Sequence, residues 1–135
     1  MKQTIFVVDD NVSVLAHAEE LLEKRYSVVT LQSAESMFAV LEKVIPDLIL
    51  LDIVLLGMSG MEALQLLKTN EKYEDIPVIF LTGLIDPDTE TLGIELGVTD
   101  FIAKPFSEAI LLNRVKNYLR LTDCINGRCE QNSQS

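Results

Sequence analysis

Five polar residues of this chain stand at the ends of short apolar segments, and together they could carry out chemistry on phosphate. They are Asp9, Asp10, Asp52, Thr82 and Lys104. Carboxylates that come close together repel one another unless a cation lies among them. Carboxylate oxygens suit Mg²⁺, whose coordination is commonly completed by phosphate oxygens, and Lys104 adds a second positive charge. The set predicts phosphoryl transfer, with Asp52 as the nucleophile that forms an acyl phosphate.

Thr82 supplies a hydroxyl group to this set. A hydroxyl group can donate a hydrogen bond to a phosphoryl oxygen, and Gly83 leaves room beside it. We expect Thr82 to move when a phosphoryl group arrives, so that its position reports phosphorylation.

The apolar segments themselves predict the strands that must position these residues. Runs at 5–8, 48–51 and 78–81 are too short for helices and apolar on both faces, which is typical of strands covered on both sides. Weaker runs at 27–31 and 100–103 suit strands at the edges of a sheet.

Helical patterns lie between these runs and after the last one. The pattern predicts an apolar stripe from Val14 to Leu22, a helix over about 34–43, and helices that begin after Ser59, Asp86 and Ser107. Strands that alternate with helices five times indicate an α/β fold with a parallel sheet. A flavodoxin-like order, 2-1-3-4-5, makes the first and third strands neighbours, and ligands bind at their carboxyl ends.

Composition limits the partners of the chain. Its 135 residues suit one domain, and its net charge of -10 disfavours direct binding to nucleic acid or to an anionic membrane. The first apolar run ends at Asp9, well short of a signal peptide or membrane span, so we expect a cytoplasmic protein. Cys124 and Cys129 have no histidine near them and are expected to be thiols. We expect a domain over 1–123 and a polar tail over 124–135.

Over roughly residues 1–121 the sequence resembles the receiver domains of two-component signalling. The matching segments are Val7–Asn11, Pro46–Ile53, Pro77–Gly83 and Gly97–Phe106. The resemblance implies that Asp52 accepts a phosphoryl group from a sensor histidine kinase or a phosphotransfer protein. It also implies that Asp10, Asp52 and the carbonyl oxygen of Val54 bind the metal directly, while Asp9 acts mainly through water.

The resemblance also implies how the signal would leave the site. Phe101 would be a switch residue that turns inward as Thr82 moves, and the Lys104–Pro105 bond would be cis. The fourth helix, fifth strand and fifth helix would form the output surface, where a homodimer could assemble. Leu56 stands where the family usually has a proline, four residues after the phosphorylated aspartate, and this predicts a more mobile loop.

Alternative functions share parts of this pattern. An aspartyl phosphatase needs Asp-x-Asp after the first strand, which the adjacent Asp9 and Asp10 do not supply. A flavin-binding flavodoxin must hold a phosphate group at this loop, and the two carboxylates would repel it. A receiver-like scaffold that binds partners without phosphorylation stays open. Residues 96–106 and 113–119 resemble receivers that precede cyclic-di-GMP synthases or phosphodiesterases. The expected alternatives are that the protein acts alone or that it was cut from a longer chain, for which this resemblance implies a cyclic-di-GMP output.

Overall fold

Strands and helices alternate along the chain, as the sequence predicts. The computed structural model describes residues 2–83 and 86–125, with side chains described as far as Leu119. The strands are β1 Thr4–Val8, β2 Ser27–Leu31, β3 Leu48–Asp52, β4 Val78–Thr82 and β5 Asp100–Ala103. The helices are α1 Val12–Leu22, α2 Ala34–Leu41, α3 Gly60–Lys68, α4 Pro87–Leu96 and α5 Glu108–Ile125.

The strands form one parallel sheet in the order β2-β1-β3-β4-β5, which confirms the predicted flavodoxin-like topology. Every residue of β3 and β4 is buried, whereas β2 and β5 are partly exposed at the edges. In this register Val8 lies opposite Leu51 and Thr82 lies opposite Ala103. The residues that follow the strands therefore emerge together at one edge of the sheet.

Alternate residues of each strand point to opposite faces of the sheet and fill two separate apolar layers. Phe6 and Ile49 pack with α2 and α3 on one face. Ile5 and Leu48 pack with α1 and α5 on the other. Because both faces are covered, the carboxyl ends of the central strands are held in a rigid frame.

The helix ends follow from local hydrogen bonding. Ser59 and Glu62 form the predicted capping box at the start of α3, and Asp86 caps α4, which Gly97 ends with φ of 99°. α2 ends at Leu41, two residues before its approximate predicted limit, and the amides of Lys43 and Val44 both donate to the Val40 carbonyl in the turn that follows.

The last helix crosses the expected domain boundary. The backbone of α5 continues to Ile125, whereas the boundary was expected after residue 123, and residues 126–135 lie outside the described part of the chain. Of the helices in the described ranges, none is both long and apolar enough to span a membrane.

Candidate functional site

Three carboxylates meet at the carboxyl ends of β1 and β3. Asp9 and Asp10 follow β1, Asp52 is the last residue of β3, and each offers an oxygen atom within 4.8 Å of the others. Asp9 is fully buried, Asp52 is nearly so, and Asp10 is exposed. We call these three residues the carboxylate cluster. Hard oxygen donors of this kind suit a divalent cation.

Lys104 closes the cluster from the side of β5. Its Nζ lies 2.7 Å from Oδ2 of Asp9 and 3.3 Å from Oδ2 of Asp52. The backbone holds the lysine in place, because its amide donates to the carbonyl of Thr82 at 2.8 Å. The peptide bond between Lys104 and Pro105 is cis.

The charges in the cluster do not balance. Burial raises the pKa of Asp52 and the charge of Asp9 raises it further, although Lys104 opposes both effects. Burial acts to lower the pKa of Lys104, but the hydrogen bond to Asp9 and the negative charges of Asp52 and Asp9 outweigh it, so that this pKa is raised. The lysine therefore stays charged, and one cation faces more than one carboxylate.

Backbone amides fix the orientation of the two buried carboxylates. Oδ1 of Asp9 accepts a hydrogen bond from the amide of Asn11 at 2.9 Å, and Oδ1 of Asp52 accepts one from the amide of Val54 at 3.2 Å. Asn11 also caps α1, which links Asp9 to the start of that helix. The bond to Asp52 keeps the Val54 backbone beside the cluster, while the Val54 side chain is exposed.

Thr82 and Gly83 follow one another at the end of β4. Thr82 is nearly buried and pairs with Ala103 on β5, the residue before Lys104. A Cβ added at Gly83 would meet no atom within 4 Å. The structure therefore places the threonine in the sheet next to the strand that carries the lysine, with open space beside it.

Phe101 lies two residues before Ala103 on β5 and points into the core. It is half-buried, and its ring centroid is 5.8 Å from that of Phe80, its neighbour across the strands. Its carbonyl accepts a hydrogen bond from Arg114 of α5. The ring therefore packs against the apolar layer that contains Phe80.

Some contacts near the site were not predicted from the sequence. The exposed ring of His17 stacks on Phe106, with centroids 5.3 Å apart. The carboxylate of Glu35 accepts a hydrogen bond from the amide of Met58, which lies in the loop after Asp52. Each pair joins residues far apart in sequence, which no periodic pattern indicates.

Comparison with known proteins gives a consistent result over most of the chain. A family model described as the response regulator receiver domain matches residues 5–116. A Vibrio cholerae protein named "Probable cyclic di-GMP phosphodiesterase" is 40% identical over 117 residues, which cover 87% of this chain and 26% of that protein. The phosphate regulon regulatory protein PhoB of Pseudomonas aeruginosa is 39% identical over 121 residues, covering 89% of this chain and 53% of PhoB.

A solved structure gives the same likeness in three dimensions. The beryllofluoride-activated receiver domain of DrrB, a Thermotoga maritima protein, superposes with a TM-score of 0.80 at 33% identity, and the match covers 88% of this chain and 98% of that one. The chain spans between a quarter and about half of the two curated relatives. This chain is therefore similar to only one part of each relative.

Proposed function

This chain belongs to the response regulator receiver domain family, and we propose that it is a phosphorylation-dependent switch in which Asp52 accepts a phosphoryl group. The observation that carries the proposal is the position of Lys104, which lies within 3.3 Å of both Asp9 and Asp52. Two buried carboxylates and a lysine from three different strands converge where ligands bind in such a sheet.

The donor set fits Mg²⁺. The carboxylates of Asp9, Asp10 and Asp52 and the backbone carbonyl of Val54 would hold the ion, with Asp9 acting mainly through water. All of these donors are oxygen atoms, which Mg²⁺ prefers. When bound, the ion supplies positive charge to the oxygens of the transferred phosphoryl group.

The residues of the chain would perform the transfer as follows. A carboxylate oxygen of Asp52 attacks the phosphorus of a phosphohistidine on a sensor histidine kinase or phosphotransfer protein. The bond from phosphorus to nitrogen breaks, and the imidazole nitrogen leaves with the electron pair. Lys104 turns from Asp52 to a phosphoryl oxygen, and the Thr82 hydroxyl donates to another. The chain would thus promote only its own phosphorylation and the hydrolysis of its own acyl phosphate.

The signal would leave through Thr82 and Phe101. Both lie at the side of the sheet where β4 and β5 pair, so a shift of the hydroxyl group would change the packing of the ring. The surface beyond them, formed by α4, β5 and α5, is named here the output face. It exposes the apolar side chains of Leu92, Ile94 and Ile110, which would suit a homodimer or a partner protein.

A cyclic-di-GMP output is a finer proposal. The similarity to the Vibrio cholerae protein, of which this chain spans 26%, supports the idea that the chain is the receiver part of a protein with such an output. We also propose that the protein is cytoplasmic, where a histidine kinase could reach Asp52.

Acetyl phosphate, a small-molecule donor, tests the function. With Mg²⁺ we expect the wild-type chain to gain the mass of one phosphate and Asp52→Asn to gain none, because the amide is not a nucleophile. Asp88→Asn, on the exposed first turn of α4, is the matched control and should be labelled like the wild type. Labelling that is absent from the wild type, or equal in Asp52→Asn, would contradict the proposal and favour a scaffold that binds without phosphorylation.

A further inference from the structure

The loop between β3 and α3, residues 53–59, must place the carbonyl of Val54 correctly if the proposed function holds. The usual proline of this loop is absent. Leu56 stands in its place, and 81% of that residue is exposed. The side chain of Leu56 makes little contact with the rest of the protein, and leucine does not fix the backbone angle φ as proline does. Leu56 therefore cannot stiffen the loop.

The first part of the loop is held by two other contacts. Leu55 is buried in the apolar layer beside α2 and α3. The carbonyl of Ile53 accepts a hydrogen bond from the amide of Gly60 at 2.8 Å. The turn that follows Leu56 lies beyond these contacts and needs a separate attachment.

Glu35 supplies that attachment from α2. Its Oε2 accepts a hydrogen bond from the amide of Met58 at 3.0 Å. The carboxylate also lies directly against Gly57, since a Cβ added at that glycine would be 2.8 Å from the same oxygen. Gly57 has φ of +78°, a left-handed conformation that favours glycine. Glycine at position 57 therefore allows both the left-handed turn and the close approach of the carboxylate.

The helix that carries Glu35 is well fixed. Ser33 caps α2 by accepting from the amide of Ser36, and Ala34 and Met37 are fully buried. A carboxylate in the first turn of a helix is stabilised by the helix dipole, and a hydrogen bond to a charged acceptor is stronger than one between neutral groups. Glu35 thus ties the loop to the core without touching Asp52.

We propose that Glu35 is a positioning residue that orders the turn at Gly57 and Met58 and so presents the Val54 carbonyl to the metal. The inference rests on the proposed function. A loop that is already ordered loses less conformational entropy when it binds a ligand. Glu35 would therefore raise the affinity for Mg²⁺ and leave the phosphorylation rate at saturating Mg²⁺ nearly unchanged.

The first experiment uses Glu35→Ala, Glu35→Gln and a control, Glu42→Ala, at the exposed residue that follows the same helix. In metal-free protein we expect the Met58 amide to exchange its hydrogen about tenfold faster in Glu35→Ala, on the scale of one lost hydrogen bond. The dissociation constant for Mg²⁺, from a titration of amide chemical shifts, should rise roughly three- to tenfold. Glu35→Gln keeps an acceptor and should lie between Glu35→Ala and the wild type.

A kinetic measurement separates positioning from a general loss of structure. The rate of labelling by acetyl phosphate should reach the wild-type value in Glu35→Ala once Mg²⁺ is saturating, with only the half-saturating concentration raised. Combining Glu35→Ala with Gly57→Ala tests the contact directly. In Glu35→Ala the new methyl group at 57 no longer meets a carboxylate, so Gly57→Ala should raise the dissociation constant by a smaller factor than in the wild type.

The outcomes separate this inference from the function on which it rests. If the wild type binds Mg²⁺ and Glu35→Ala binds it within twofold, with unchanged exchange at Met58, the positioning role is refuted and the function stands. If the wild type binds no Mg²⁺ and is not labelled, both are refuted. A reduced rate at saturating Mg²⁺ would also overturn the role as stated.

Discussion

The carboxylate cluster and the output face are built from opposite kinds of interaction. At the cluster, Asp9 and Asp52 are buried with their charges and share one lysine. At the output face, no residue of α4 except Gly93 is buried, and the exposed side chains include Leu92 and Ile94. The cluster is thus governed by electrostatics in a confined space, whereas the α4 part of the face buries little and exposes apolar side chains.

The difference indicates how a local charge change could produce a shape change elsewhere. A phosphoryl group alters charge at the cluster, where the surrounding strands are fully buried and cannot yield. Regions with few buried contacts need less free energy to rearrange. The half-buried ring of Phe101, between the two regions, is where such a rearrangement would begin.

The largest effect is expected at the charged region, from Lys104→Met. Removing one preorganised charge that stabilises a transition state typically slows a reaction by about 10²-fold, so we expect the rate of labelling of Asp52 by acetyl phosphate to fall about a hundredfold. The affinity for Mg²⁺ should rise, because a competing cation has left the cluster. Mass spectrometry at saturating Mg²⁺ measures the rate.

Lys116→Met, on the exposed side of α5, is the control for this substitution. It removes the same charge from the molecule but not from the cluster, and should leave the rate unchanged. A rate for Lys104→Met within threefold of the wild type would mean that the lysine balances charge in the resting protein only.

The sequence predicted the charged region far better than the tertiary contacts around it. Asp9, Asp52 and Lys104 each follow or end a strand, and parallel topology alone brings strand ends together. The contact between Glu35 and Met58 depends on how a helix and a loop pack across 23 residues. Neither residue carries a local signal for that contact, since a glutamate in the first turn of a helix is common on helix-dipole grounds alone.

A second prediction concerns the free energy stored in the cluster. In metal-free protein at pH 7, Asp52→Asn should raise the free energy of unfolding by about 1 kcal/mol, the lower end of the scale on which replacing buried charge stabilises proteins. The pKa of Asp52 is raised above its ordinary value of 3.8, first by burial and then by Asp9. The ionisation of Asp52 therefore lowers the free energy of unfolding of the wild type as the pH rises through that pKa, and the variant lacks this contribution.

Urea denaturation between pH 4 and pH 7 measures this difference. The gap between Asp52→Asn and the wild type should widen as the pH rises and should narrow or reverse when Mg²⁺ is added, because only the wild type keeps the full donor set. A gap that is constant with pH would show that the substitution acts through packing rather than charge.

The smallest effect on the labelling rate is expected at the apolar region, from Gly93→Ala in α4. A Cβ at this position would lie 3.0 Å from Cζ of Phe101 and 3.3 Å from Cε2 of Phe80, closer than side chains normally pack. Overpacking costs about 1–3 kcal/mol, while alanine in a helix gains about 1 kcal/mol over glycine. We expect a net loss of about 1 kcal/mol in the free energy of unfolding by urea, and a labelling rate within threefold of the wild type.

Combining Gly93→Ala with Phe101→Leu sharpens the comparison between the two regions. The smaller side chain removes the shortest of the new methyl group's contacts, while the contact with Phe80 stays, so Gly93→Ala should cost less free energy of unfolding in that variant than in the wild type. If instead Gly93→Ala slowed labelling as strongly as Lys104→Met, the packing of Phe101 would control the reactivity of Asp52. The cluster and the output face would then be two ends of one coupled unit, in which a partner bound at the face changes the rate of phosphorylation.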